Sequence, residues 1–128
     1  MAGVSRTWIS STLATEWVAL AAAAATLQVL DEAAVPAHLT RVGGRLLAGF
    51  AVLAERYPDL LAGTAGIPEM CCLTYPGAGD GAALAVEAAR RGLLFKRSAY
   101  NFVSLAHGEV EVDRALGILE DALSALRG

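Results

Sequence analysis

Apolar positions along the chain fall into distinct periods that predict its elements. Residues 17–30 are apolar apart from Thr26 and Gln28, which reads as a largely buried helix spanning 16–30. Thr15 is the candidate N-cap, and Glu16 falls in the first turn, where negative charge is favourable. From 36 to 57, Leu39, Val42, Leu46, Phe50, Leu53 and Tyr57 recur every three or four residues and line one face of a second helix. Asp31 to Pro36 hosts the break between the two, with Pro36 suited to a first helical turn. Gly43, Gly44 and Gly49 each cost roughly 1 kcal/mol of helix propensity, offset if they permit close packing. Pro58 and Asp59 stop the second helix.

Further on, 60–67 reads as a strand or loop broken by Gly63 and Gly66. The run 69–75 suits a short buried strand. A turn follows through Pro76, Gly77, Gly79, Asp80 and Gly81. A helix over 82–91 is closed by Gly92 as C-cap. Strands are predicted at 93–95 and within 100–106. A last helix over 110–127 carries Val112, Leu116, Leu119, Leu123 and Leu126 on one face, after an acidic start. The order helix, helix, strand, helix, strand, strand, helix predicts a small α/β domain, a sheet covered by helices.

The length of 128 residues is that of one domain. A formal net charge of -3, from 10 basic and 13 acidic residues, argues against nucleic acid as a partner. The apolar run at 17–30 is too short to cross a bilayer, and no basic-then-apolar signal pattern precedes it. With 27 alanines and 18% charged residues, the composition is open to the reading that part of the surface belongs against a larger partner or a missing domain. A small alanine-rich domain standing alone is the simpler alternative.

Candidate chemistry is sparse. Cys71 and Cys72 are adjacent, so on a strand they point to opposite faces and make neither a bridge nor a zinc site. Their use fits a reducing cytoplasm. His38 and His107 lie in no metal or Ser-His-Asp pattern, and solvation, capping or hydrogen bonding suits them better than acid–base work. The 77–81 segment lacks the G-x-x-x-x-G-K-[ST] pattern of a phosphate loop, although a backbone nest stays open there. Ser10-Ser11-Thr12 ahead of a helix is a place for either a phosphate or a helix cap. Lys96-Arg97 suits a carboxylate or a decorated strand end.

The stretch Ser11-Thr12-Leu13-Ala14-Thr15-Glu16, running on through Ala19-Leu20-Ala21 to Leu30, resembles the C-terminal part of class III pyridoxal-phosphate (PLP) aminotransferases. Within these it is most similar to the glutamate-1-semialdehyde aminomutase branch. Gly92-Leu93-Leu94, Tyr100 to His107 and the acidic 109–113 segment resemble the closing part of the same family. The resemblance extends over nearly the whole chain.

It implies the C-terminal small domain of a fold-type I PLP enzyme: a small, largely antiparallel sheet covered by helices (16–128), preceded by an arm (1–15). The long helix follows that arm. Thr12 is the implied contact to the cofactor phosphate of a neighbouring subunit, with Ser11 as a backbone-level contact. Thr15, Glu16 and Trp17 stand where family members commonly have Gly-Asn-Pro. Arg97 is the implied partner of a substrate carboxylate, a salt bridge to Glu69 or Glu109 being its alternative.

The parent reaction is amino-group transfer or 1,2-exchange on a small amino acid or amino-ketone. It needs a Schiff-base lysine, and Lys96, the only lysine, does not match that position. The expectation is therefore a truncated or fragmentary enzyme, inactive alone and cytoplasmic. Its expected partners are a PLP-binding large domain or another copy, with no membrane and no nucleic acid. The alternative is a non-catalytic interaction module that keeps the small-domain fold.

Overall fold

A computed structural model describes residues 16–77 and 81–128. The chain divides into two units, 1–35 and 36–128. In the first, α1 (Trp17–Glu32) is capped by Glu16, whose carboxylate accepts hydrogen bonds from the backbone N–H groups of Val18 and Ala19. The cap is thus Glu16 and not Thr15, which lies outside the described residues. A long carboxylate serves because it reaches both orphan donors at once. Contrary to the sequence expectation, α1 buries none of its residues. Its apolar side chains are spread around the whole circumference, and Trp17 is 82% exposed. Ala34, with φ +45°, takes the left-handed backbone beyond the C-cap Ala33.

The second unit is a small α/β domain. Its helix α2 (Val35–Arg56) begins at the unit boundary and presents Val42, Leu46, Phe50 and Leu53 to the core, as their spacing predicts. Strands β1 (Gly63–Ile67) and β2 (Met70–Thr74) form an antiparallel hairpin in the register Gly63↔Thr74 to Ile67↔Met70. Gly66, at φ +107°, sits where a Cβ would strike the backbone of Met70, so glycine is required there. Along β2 the alternation is strict: Cys71 and Leu73 are buried, their neighbours half-buried. The two cysteines therefore do point apart.

Helix α3 (Gly81–Arg90) buries Leu84 and Ala88, and Gly92 (φ +89°) closes it. Strand β3 (Asn101–Phe102) pairs antiparallel with β2 through Met70↔Phe102 and Cys71↔Asn101, giving the order β1-β2-β3. Helix α4 (Glu109–Arg127) buries Val112, Leu119, Ala122 and Leu123. Its start is fixed by the Gly108 N–H donating to Glu111 Oε2 at 2.9 Å. One core gathers Phe50, Cys71, Leu84, Leu119 and Leu123 from these elements, with Leu61 from the connection between α2 and β1. Each such aliphatic or aromatic side chain contributes roughly 1.5–3 kcal/mol by leaving water.

Two predicted strands differ from what forms. Residues 93–95 are not a strand, and the one expected in 100–106 shrinks to β3. Leu94 is 88% exposed, so the apolar run does not signal a buried strand here. Among the described residues no single helix is long and apolar enough to cross a membrane.

Candidate functional site

Helix α4 and the segment after α3 frame a groove of about 660 Å³. Its floor is Leu46 and Phe50 of α2; its walls include Leu93 and Phe102 on one side and Ile118 on the other. The 96–101 segment keeps its shape through the Asn101 side chain. The Lys96 N–H donates to Asn101 Oδ1 at 2.7 Å, and Asn101 Nδ2 donates to the Lys96 carbonyl at 3.2 Å. The same amide nitrogen also donates to the Cys71 carbonyl at 3.4 Å, joining the loop to β2. This side-chain bridge does the work that a backbone ladder would do in a longer strand.

Polar groups open onto the groove from both walls. The Lys96 ammonium stands 5.9 Å from the centre of the Phe102 ring, a cation–π arrangement. Arg114 reaches it from α4, and His107 from the loop ahead of α4. His107 Nδ1 accepts from the Ser104 N–H at 3.0 Å and lies 3.1 Å from Ser104 Oγ. In the neutral ring the proton is thereby placed on Nε2. The His107 carbonyl in turn accepts from Nε2 of His38 at 3.0 Å, tying the first turns of α2 to this loop. Both histidines thus have hydrogen-bonding roles.

The residues named from the sequence lie apart from this groove or beyond the description. Ser11 and Thr12 fall outside the described residues, as does most of the 77–81 turn. Arg97 is exposed beside the groove and does not line it. Neither alternative carboxylate is paired with Arg97: Glu69 accepts from the Thr40 hydroxyl, and Glu109 pairs with Arg41. The Thr40 bond holds the Glu69 carboxyl below its usual range. Arg97 does act on Tyr75, where its charge weakly opposes a phenol pKa that burial pushes up to about 12.

Burial likewise pushes the Cys71 thiol up to about 11, so it is protonated and unreactive at neutral pH. Among the described residues no group of three or more His, Cys, Asp or Glu side chains is placed to hold a metal ion.

Sequence reasoning missed Arg114 and Asn101. Arg114 is one charge among several at the start of a helix, and only the fold brings it to the groove that Lys96 also lines. Asn101 carried a weak signal, an amide inside an apolar run, which a strand disfavours. No protein-family model matches the chain, and no curated protein matches it.

Proposed function

We propose that this chain is the small-domain part of a PLP-dependent class III aminotransferase or glutamate-1-semialdehyde aminomutase-like protein. Amino-group transfer then requires a second body that carries the Schiff-base lysine. The observation that supports this most is α1. A sixteen-residue helix with alanine and large apolar residues around its circumference and nothing buried needs a surface to cover it. It follows directly on the arm whose Ser11-Thr12 motif carries the resemblance. A lysine-bearing large domain, in the same chain or in another copy, is the body that fits both.

The described residues do not by themselves make a PLP site. The aldehyde of the cofactor needs a lysine amine, its pyridine nitrogen a carboxylate and its phosphate a cluster of donors. Around Lys96 the one carboxylate lining the groove, Glu111, is engaged by the Gly108 N–H. No catalytic step is therefore assigned to this chain. Its proposed contributions are Thr12 and Ser11 toward a phosphate in the neighbouring subunit and Arg97 toward a substrate carboxylate, in a cytoplasmic oligomer. A second reading, a non-catalytic interaction module, draws support from the core that residues 36–128 bury among themselves.

Titration of the purified chain with PLP, followed by its Schiff-base absorption, tests the proposal. At most a Lys96 adduct is expected, abolished by Lys96→Arg and without turnover of any amino donor. Sequencing the DNA around the encoding frame should reveal a lysine-bearing cofactor domain, in frame or adjacent. Transamination by this chain alone, or a locus without such a domain, overturns the proposal.

A further inference from the structure

The arginines of this fold are almost all committed. Of the eight described, Arg41, Arg45, Arg56, Arg90, Arg91 and Arg127 each pair with a carboxylate. Arg97 and Arg114 do not, and neither does Lys96. Two of these three uncommitted cations, Lys96 and Arg114, line the groove, whose other lining residues are mostly apolar. They come from separate elements, the segment after α3 and the body of α4. His107, with its Nδ1 already accepting from Ser104, offers a third donor through Nε2.

The groove therefore has an excess of donors. Its lining carboxylate, Glu111, is spent on the start of α4, and Asn101 is spent on the Lys96 backbone. Its volume of about 660 Å³ lies within the range of sites for small organic ligands, roughly 300–1,000 Å³. Such a site selects a molecule with an apolar body and an anionic head. The planar guanidinium of Arg114 suits a carboxylate through its fork of donors, and the Lys96 ammonium supplies a second positive charge.

We propose that this groove binds a small amphipathic carboxylate, an arylalkyl or medium-chain acid. The apolar body lies against Phe102, Leu93 and Ile118, and the carboxylate sits between Lys96 and Arg114. This site is independent of any PLP chemistry: it uses neither Thr12, Ser11 nor Arg97, and it holds or fails whichever functional reading stands.

The test is a titration of the isotopically labelled full chain with 4-phenylbutyrate, followed by amide chemical shifts. Saturable shifts are expected at Lys96, Phe102, Arg114 and Ile118. The uncharged 4-phenylbutanol should bind about tenfold more weakly or worse, because a hydrogen bond to a charged group contributes on that scale. Arg114→Gln and Lys96→Gln should each weaken the acid by several-fold and leave the alcohol unchanged. Arg90→Gln, which removes the same charge outside the groove, should change neither. Unchanged spectral dispersion checks that each variant is folded. Equal binding of acid and alcohol, or no saturable shifts at these residues, overturns the proposal. So does capture of an acidic–apolar peptide in preference to the acid, which would make the groove a protein-docking surface.

Discussion

Arg45 on α2 and Asp113 on α4 face each other through two parallel hydrogen bonds, Nε to Oδ1 at 2.5 Å and Nη2 to Oδ2 at 2.8 Å. The pair is the forked member of a ladder that also includes Arg41–Glu109 and Arg56–Glu120. All its members are about half exposed, so the ladder sets the alignment of the two helices more than it adds stability. The Arg45 hydrogen bonds hold the Asp113 carboxyl below its ordinary value of 3.8. The folded protein thus binds that proton less tightly than the unfolded chain. The contribution is present above that ordinary value and is lost as pH falls through the depressed folded value. Asp113→Asn should therefore give a small loss of stability at neutral pH and none in strong acid. Thermal unfolding at several pH values, repeated in high salt, measures it; an equal loss in strong acid would mean that the pair does not act through charge.

Three glycines of α2 should respond to alanine in three different ways. At Gly44 an added Cβ meets nothing, so Gly44→Ala should stabilise by about 1 kcal/mol through helix propensity alone. At Gly49 it meets the Leu116 side chain, and overpacking of that kind costs about 1–3 kcal/mol. Adding Leu116→Ala should relieve the clash, giving a coupling energy in a double-mutant cycle. At Gly43 it meets the Pro68 carbonyl, which is backbone and has little room to yield. Gly43→Ala should be the worst of the three in urea unfolding, and a ranking with Gly44 as the most damaging would refute this packing.

Those glycines also mark how far the sequence could be read. The periodic face of α2, the helix ending at Gly92, the last helix and the split of Cys71 from Cys72 were all legible, because each depends on local spacing. That Gly43 and Gly49 allow close approach, while Gly44 does not serve that purpose, depends on what lies opposite and was not. Leu93, Leu94 and Phe95 look like a strand by composition, yet only a ladder partner makes a strand, and β2 pairs with Asn101 and Phe102 instead. Helix α1 misled for a related reason: an apolar run shows that burial is favourable, not that the described residues supply the cover. The groove was invisible because Lys96 and Arg114 are 18 residues apart and come to line one groove only through the fold.

Cys71 should set an alkaline limit on stability. Burial in the core pushes its thiol from 9.0 to about 11, so the folded protein holds the proton more tightly than the unfolded chain. Its contribution is complete below pH 9 and declines as pH rises from about 9 toward 11. Cys71→Ala should flatten that part of the stability profile while lowering stability at pH 7 through the small cavity it leaves. Alkylation at pH 8 should label the half-buried Cys72 well before Cys71. Equal labelling of both in the folded protein would contradict the burial of Cys71.

Tyr75 gives the one prediction in which deleting a polar group should help. Its hydroxyl is buried and has no hydrogen-bond partner among the described residues, and its ring packs against Gly81 at the start of α3. An unsatisfied buried hydroxyl costs about 1–3 kcal/mol, whereas the ring without it keeps its packing. Tyr75→Phe should therefore stabilise the fold by about 1 kcal/mol, the lower end applying because the residue is only partly buried. Tyr75→Ala should destabilise it instead, since the ring packs against the core and leaves a void beside Gly81. Urea unfolding of the two variants separates the hydroxyl from the ring. Loss of stability in Tyr75→Phe would mean that the hydroxyl has a partner in the folded protein.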